Sequence, residues 1–443
     1  VHQAFAVPSG SMENTIMTGD RVYAEKVSYL FRDPQPGDIV TFQDPEIPGR
    51  VLIKRCIAVG GQTVDLVDGR VVVDGVFNHT GSQSMYFNAD GYYPTLGAAQ
   101  SQDSPWYSWY RFHHWPDSYD SWWGIRTLPA VEESSPSYVD FIIDGKDSII
   151  RRWLRAGASG WRLDVADELP DDFIAEIRQA MESEKPDSFL LGEVWEDGSN
   201  KIAYSHRRRY LLGRETHGLM NYPFRTAALA WLRGGDASDF RRDMEEIREN
   251  YPPAAFHSGL NILGTHDTPR LLTMLGAART PESKDDRAAY RLSPEELDMG
   301  LARLRLGALL LYSFPGSPTV FYGDEAGMQG FEDPLNRGTY PWGQEDSSLL
   351  AYFRQLGTLR KQRLSLQCGD IGYLYAVGGG LVLRRQSEDE VTVAAMNAGM
   401  QPLELSIPWS GALAKDALTG QHFFARNGML RLTLPPVGGV LLV

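Results

Sequence analysis

Apolar positions along the chain follow three rhythms. Up to about residue 73 they form short β-branched runs at 38–42, 51–59, 63–67 and 70–73, separated by Pro-Gly, Gly-Gly and Asp-Gly pairs. Runs bounded in this way predict strands and hairpins, and no long helix-period segment interrupts them. From about residue 137 the spacing becomes that of amphipathic helices at 137–155, 171–184, 237–250, 294–312 and 347–362. Short apolar strands at 160–164, 189–193, 260–264 and 319–322 lie between them, with a weakly marked one near 217–223. Strands alternating with helices predict a parallel sheet of βα units. Beyond Leu366 short runs return, with Gly-rich turns at 378–380 and 435–439, which predicts an antiparallel C-terminal domain. The expected organisation is multidomain: a small all-β fragment (1–73), an incomplete (β/α)8 TIM barrel (74–366) and a C-terminal antiparallel β-sandwich (367–443).

Within the middle region apolar runs end in polar clusters: Val73-Asp-Gly-Val-Phe-Asn-His79, Trp161-Arg-Leu-Asp164, Leu191-Gly-Glu193 and Leu263-Gly-Thr-His-Asp267. A (β/α)8 barrel carries its site where the strands end. One such Asp reads equally as a helix cap or a strand-end ion pair. Four in order, with Arg162 and His266 among them, point to one collected site.

Composition narrows the field. The 443 residues are 42% hydrophobic and 23% charged, a balance that builds buried cores and excludes a disordered or fibrous chain. The net charge of −14 argues against a nucleic-acid partner, which needs a basic face. Cys56 and Cys368 are too few for a disulfide framework or a zinc site. The longest apolar stretch, 306–314, falls far short of the roughly 18 residues of a membrane helix. The chain starts at Val1 with neither Met nor a signal-type segment, so it is expected to be a fragment at its N-terminus.

Glycosidic hydrolysis needs two carboxyl groups flanking the bond, and Asp164, Glu193 and Asp267 come from three separate strand ends. Asp74-Gly-Val-Phe-Asn-His79, Gly160-Trp-Arg-Leu-Asp164, Gly192-Glu-Val-Trp195 and Gly264-Thr-His-Asp267 resemble, in order, the four signature boxes of the α-amylase family. Ser121-Trp-Trp-Gly124, Thr127-Leu-Pro129, Pro136-Ser-Tyr138 and the stretch 314–342 are similar to its neopullulanase, cyclomaltodextrinase and amylopullulanase branch. The resemblance implies Asp164 as the nucleophile that forms a glycosyl ester, Glu193 as acid/base and Asp267 as stabiliser of the oxocarbenium-like state. It implies Arg162 as the partner that keeps Asp164 ionised. Substrate-binding roles fall to His79, His266 and Trp195, with Asn78 and Asp74 supporting the first box. The family retains anomeric configuration and needs no cofactor; calcium is possible, though no EF-hand-type ligand run indicates it.

Residues 106–123 carry five of the eleven tryptophans, Trp106, Trp109, Trp115, Trp122 and Trp123, in a long loop. Flat indole faces suit sugar binding, and a self-packed aromatic loop is an equal reading. Asn78-His-Thr80 matches a glycosylation sequon but belongs to the first box. Ser205-His-Arg-Arg-Arg209 reads as a solvated basic helix face.

The N-terminal piece has other chemistry. Pro8-Ser-Gly-Ser-Met12 and Leu52-Ile-Lys-Arg55, with Asp20-Arg-Val22 and Pro36-Gly-Asp-Ile-Val40, resemble the boxes of type I signal peptidases. A serine protease without histidine needs another base, and a desolvated lysine can serve. The resemblance implies Ser11 as nucleophile, Lys54 as general base and the Ser9 hydroxyl at the oxyanion hole.

Each resemblance is incomplete. The peptidase family's later Gly-Asp-Asn box and its membrane anchor are missing, as are two barrel strands before Asp74. The seam falls in Asp68-Gly-Arg-Val-Val-Val-Asp-Gly75. Three readings follow: a retaining hydrolase of α-1,4 or α-1,6 links in starch, pullulan or maltodextrin; a Ser/Lys endopeptidase acting on preprotein signal peptides; or an inactive chimera. A membrane partner enters only through the missing anchor. The body implies a cytoplasmic location and the head the outer face of the cytoplasmic membrane, so the compartment stays open.

Overall fold

The computed structural model describes residues 70–443 and, before them, four short strands. These are β1 (His2–Ala6) paired antiparallel with β2 (Arg21–Glu25), and β3 (Ile39–Gln43) paired antiparallel with β4 (Val51–Arg55). The remainder of the expected strands at 56–59 and 63–67 lies outside the described residues. The chain forms two compact units, one of residues 1–194 with 200–217 and the other of 195–199 with 218–443.

The first unit contains three parallel strands in order, β5 (Val72–Gly75), β6 (Gly160–Leu163) and β7 (Phe189–Gly192). Their register sets Asp74 beside Arg162 and Leu163 beside Gly192. Gly160 is required there, because a Cβ would run into the Phe189 carbonyl of the neighbouring strand. Strand β6 is followed by α2 (Asp171–Glu184), which buries Phe173, Ile174, Ile177, Ala180 and Met181, one helical stripe.

The expected helix 137–155 is broken. A short α turn, Pro136–Val139, runs into a π-type turn, Asp140–Asp144, and helix α1 (Ile149–Arg155) starts afresh. Gly145 leaves the helix with ψ 144°, its N–H donating to the Asp140 carbonyl at 2.8 Å. Ser148 then turns its hydroxyl back onto the Ile143 carbonyl at 2.9 Å. Glycine and serine favour such ends, so an unbroken apolar rhythm conceals two helices.

The second unit holds parallel strands β8 (Gly218–Asn221), β9 (Leu260–Ile262) and β10 (Ser317–Thr319). Helices α3 (Tyr222–Leu232), α4 (Ala237–Asn250), α5 (Pro294–Ser313) and α6 (Ser347–Gln362) enclose a core that includes Phe224, Trp231, Phe240, Leu309 and Phe314. A capping box of Ser293 and Glu296 starts α5. The strand expected at 319–322 ends at Thr319. Beyond it the Tyr322 carbonyl is taken by the Arg270 guanidinium, which also lies 4.2 Å from the Phe321 ring centre and 4.5 Å from that of Tyr322. A cation thus replaces the ladder.

Beyond α6 come two four-stranded antiparallel sheets. One runs β11 (Asp370–Val377), β12 (Gly380–Gln386), β13 (Val391–Asn397) and β18 (Gly438–Leu442). The other has the order β14 (Leu403–Pro408), β17 (Met429–Leu434), β16 (His422–Arg426) and β15 (Leu413–Lys415). Val382, Val393, Leu405, Ile407, Leu430 and Leu432 form the core they share. Buried and exposed residues alternate along β17, as a half-buried strand requires. With three parallel βα-type strands in each unit, where eight close a barrel, the fold is an incomplete (β/α)8 barrel followed by an antiparallel sandwich.

Candidate active site

In the first unit, residues two apart on a strand share a face, so Arg162 and Asp164 project together where β6 ends. Arg162 Nη1 lies 2.9 Å from Asp74 Oδ1 and 2.5 Å from Asp164 Oδ1, and Nη2 lies 2.9 Å from Glu193 Oε2. One guanidinium therefore gathers carboxylates from three successive strands. Burial works against the Arg162 charge, but Glu193 and Asp74, with hydrogen bonds to Asp74 and Asp164, hold it above the ordinary guanidinium range. Arg162 and Glu193 are buried, whereas the Asp74 side chain is 56% exposed.

The residue after Asp164 is strained. Val165 adopts φ 40°, ψ 53°, a left-handed conformation that disfavours a β-branched side chain by about 1–3 kcal/mol. This conformation accompanies the Val165 N–H donating to Glu193 Oε2 at 2.9 Å.

Asn78 donates from Nδ2 to Glu168 Oε2 at 2.9 Å and presents its amide oxygen 2.8 Å from His79 Nδ1. With His79 donating from Nδ1, neutral imidazole keeps Nε2 as a free acceptor. Burial lowers the His79 pKa, opposed by the charges of Asp164 and Glu168. An imidazole depressed below 6.5 stabilises the fold above that pH, and the contribution is lost as pH falls toward the folded-state value. An NMR titration of the His79 ring should give a midpoint below 6.5; a midpoint at or above that value refutes this electrostatic picture.

The tryptophans divide. Trp109 is buried and donates to Ser137 at 2.9 Å, Trp106 meets the Tyr86 ring edge-on, and Trp115 donates to the Ala98 carbonyl at 2.9 Å. These three pack the loop itself. Trp122 stacks on His79 at 4.9 Å and on Trp123 at 4.9 Å, and Trp123 donates to Glu168 Oε1 at 2.9 Å while 77% exposed. These two line a cavity of about 910 Å³ shared with Glu133, Glu168, Tyr204 and Arg208. Burial, with repulsion from Glu132 and Glu168, pushes the Glu133 carboxyl up to about 7.

The basic run 205–209 is not a helix face. Strands Ile202–Ala203 and His206–Arg207 form a small hairpin through Tyr204 and Ser205, at φ 52° and 66°. Arg208, 6% exposed, turns inward. A Tyr-Ser pair lacks the Asn-Gly signature of such a turn, which hid it from sequence reading.

Trp195, His266 and Asp267 belong to the second unit. Trp195 stacks on Tyr222 at 4.0 Å and 15°. Asp267 lies 3.2 Å from His266 Nε2 and 3.4 Å from Arg337 Nη2. Buried Asn336 donates to the carbonyls of His266 at 2.6 Å and Thr268 at 2.8 Å, pinning the turn between them. Beneath the turn lies Asp324, whose carboxylate a Cβ at Gly264 would strike and whose pKa burial raises to about 7. Sequence reading did not select Arg337, Asn336, Glu168 or Arg208. Arg337 also lies 3.2 Å from Asp333, four residues earlier, whereas the partners of the other three come only from tertiary contact. Ser9 and Ser11 lie outside the described residues. Lys54 stands opposite Val40 in the β3–β4 pair, and its side chain lies outside them too.

Carboxylates at three successive parallel strand ends thus share one arginine, at the edge of the sheet where a (β/α)8 fold collects its polar residues. The chain belongs to the α-amylase family of glycoside hydrolases: the family profile "Alpha amylase, catalytic domain" matches residues 63–349. Residues 1–104 match the profile "Signal peptidase, peptidase S26". An amylopullulanase of Thermoanaerobacter thermohydrosulfuricus is 33% identical over 84% of this chain and 28% of its own length. A cyclomaltodextrinase of Geobacillus thermopakistaniensis is 30% identical over 94% of this chain and 64% of its own. The debranching enzyme of Nostoc punctiforme, in a crystal soaked with acarbose, superposes with a TM-score of 0.67 at 27% identity, covering 84% of this chain and 75% of that one. The chain thus spans about a quarter to two thirds of the length of these curated relatives.

Proposed function

We propose that the chain is a retaining α-glucan hydrolase acting on α-1,4 or α-1,6 glucosidic bonds of pullulan, starch or maltodextrin. The observation that carries this reading is the Arg162 guanidinium shared by Asp74, Asp164 and Glu193. Contact with one side chain makes Asp164 and Glu193 neighbours, in keeping with the separation of about 5 Å that a double-displacement mechanism needs. Asp164 attacks the anomeric carbon as Glu193 protonates the departing glycosidic oxygen. Glu193 then takes a proton from the water that opens the ester.

Neutral His79 offers Nε2 to a sugar hydroxyl, and Trp123, exposed and backed by the Trp122 ring, presents a flat face to the glucan. Asp267, with His266 and Trp195 in the second unit, is assigned to sugar hydroxyls by the likeness of its box, Gly264-Thr-His-Asp267, to that of the family. The peptidase reading, with Ser11, Lys54 and Ser9, rests on the match at residues 1–104.

Incubation with pullulan and with maltotriose, read as reducing ends and as the anomer first formed, tests the proposal. The expected result is α-anomer release by the wild type and a loss of about 10²-fold or more in Glu193→Gln. Equal rates in both proteins, or release of the β-anomer, would overturn it.

A further inference from the structure

We propose that Arg208 is a positioning residue for the Asp164–Glu193 pair, its buried guanidinium pinning the turn that follows Asp164 so that the Val165 N–H stays on Glu193. The inference rests on the proposed glycosidase reading for its catalytic consequence, though not for its geometry.

The turn between β6 and α2 contains Val165 in its left-handed conformation and then a short 3-10 turn, Ala166–Glu168. Its carbonyls converge on Arg208. Nη1 donates to Asp167 O at 2.5 Å, and Nη2 donates to Leu169 O at 2.5 Å and to Ala166 O at 3.4 Å. Nε meets Asp171 Oδ1, in the first turn of α2, at 2.5 Å. The guanidinium also lies over the Tyr210 ring, 4.7 Å from its centre.

The Asp167 side chain is held in the same way, by Lys201 Nζ at 2.9 Å and the Tyr210 hydroxyl at 2.9 Å. All three groups come from residues 201–210, beside the hairpin whose turn residues carry positive φ, and the Arg208 N–H closes onto Lys201 O at 2.9 Å. A planar fork filling three carbonyls and a carboxylate fixes orientation as a point charge cannot. The strained φ of Val165 persists only where the surrounding structure over-determines it, and Arg208 fixes the carbonyls of Ala166, Asp167 and Leu169 that follow it. The same turn presents Glu168 to Asn78 and Trp123, so the clamp also sets one wall of the cavity.

A guanidinium that merely ties down the start of α2 would affect stability alone. A positioning residue must also change the environment of Glu193, which Arg162 faces with Asp164 on the same guanidinium. Arg208→Lys and Arg208→Gln in the full chain, with Asp171→Asn as a variant that keeps the guanidinium, separate the two. On maltotriose, Arg208→Lys should lower kcat about tenfold while KM stays within about threefold. The basic limb of the pH profile should move to higher pH, because Glu193 loses a hydrogen bond that favours its charged form. Amide exchange in peptides covering 163–169 should quicken, with no matching change elsewhere in the first unit. Asp171→Asn should shift all three readouts the same way and by less, and it carries the test if Arg208→Gln does not fold.

Wild-type pH profile and exchange in Arg208→Lys, or a loss of kcat that only tracks the folded fraction, overturns the proposal. If the wild type cleaves no glucan, the glycosidase reading fails separately, and amide exchange at 163–169 decides the clamp by itself.

Discussion

Asp164→Asn is expected to cleave pullulan and maltotriose at least about 10⁴-fold more slowly than the wild type. The substitution keeps the shape of the side chain, and its amide oxygen can still accept from Arg162 Nη1, the contact that Asp164 Oδ1 makes at 2.5 Å. What it loses is charge. A neutral amide oxygen is a poor nucleophile toward an anomeric carbon, and no ester forms. Asp164 is partly buried and its N–H is committed to the Gly75 carbonyl at 3.0 Å, so folding should hardly change. Direction of attack gives a sharper test than rate. In Asp164→Gly, azide can enter the space left by the carboxylate and should yield the β-glycosyl azide from an α-linked substrate, whereas azide added to Glu193→Gln should yield the α-azide. Turnover of Asp164→Asn within tenfold of wild type, or the α-azide from Asp164→Gly, would exclude Asp164 as nucleophile.

Much of the fold was legible because burial leaves a period in the sequence. Helices α2, α4 and α6 run over the residues that their apolar spacing and first-turn polar residues mark; Asp236 accepts the Ser238 N–H and Asp346 the Leu349 N–H. The break at Gly145–Ser148 was hidden because the apolar rhythm continues across it. Ends of the expected parallel strands were legible within two residues except at Thr319, where Arg270 captures the chain. In the site, Asp74, Arg162, Asp164 and Glu193 could be grouped in advance because strand alternation and parallel register bring them together. Arg208 could not, since its partner Asp171 is 37 residues away and the hairpin between them has no turn signature. The same limit hid Glu168, whose hydrogen-bond donors Asn78 and Trp123 come from segments 90 and 45 residues earlier.

Arg162→Met should cost both stability and activity, and the partition among its three partners sets the size. Asp74 is more than half exposed, so its ion pair is screened and contributes little. The Asp164 side chain is 20% exposed and that of Glu193 only 4%, and these two would be left facing each other without a cation. Removing one member of a buried ion cluster typically costs about 3–5 kcal/mol, mostly from the charges stranded rather than the attraction lost. Urea unfolding at neutral pH should show a deficit of that order. The deficit should shrink as pH falls, because the stranded carboxylates can then take up protons and cease to repel. Arg162→Lys should recover most of the stability, since one ammonium restores the charge. Its activity should stay far below wild type, because a point charge cannot hold Asp164 with one nitrogen and Glu193 with another. A deficit under about 1 kcal/mol in Arg162→Met, or one that grows toward acid pH, would mean that the three carboxylates do not depend on this guanidinium. The assignment of Asp164 and Glu193 as an electrostatically coupled pair would then fail with it.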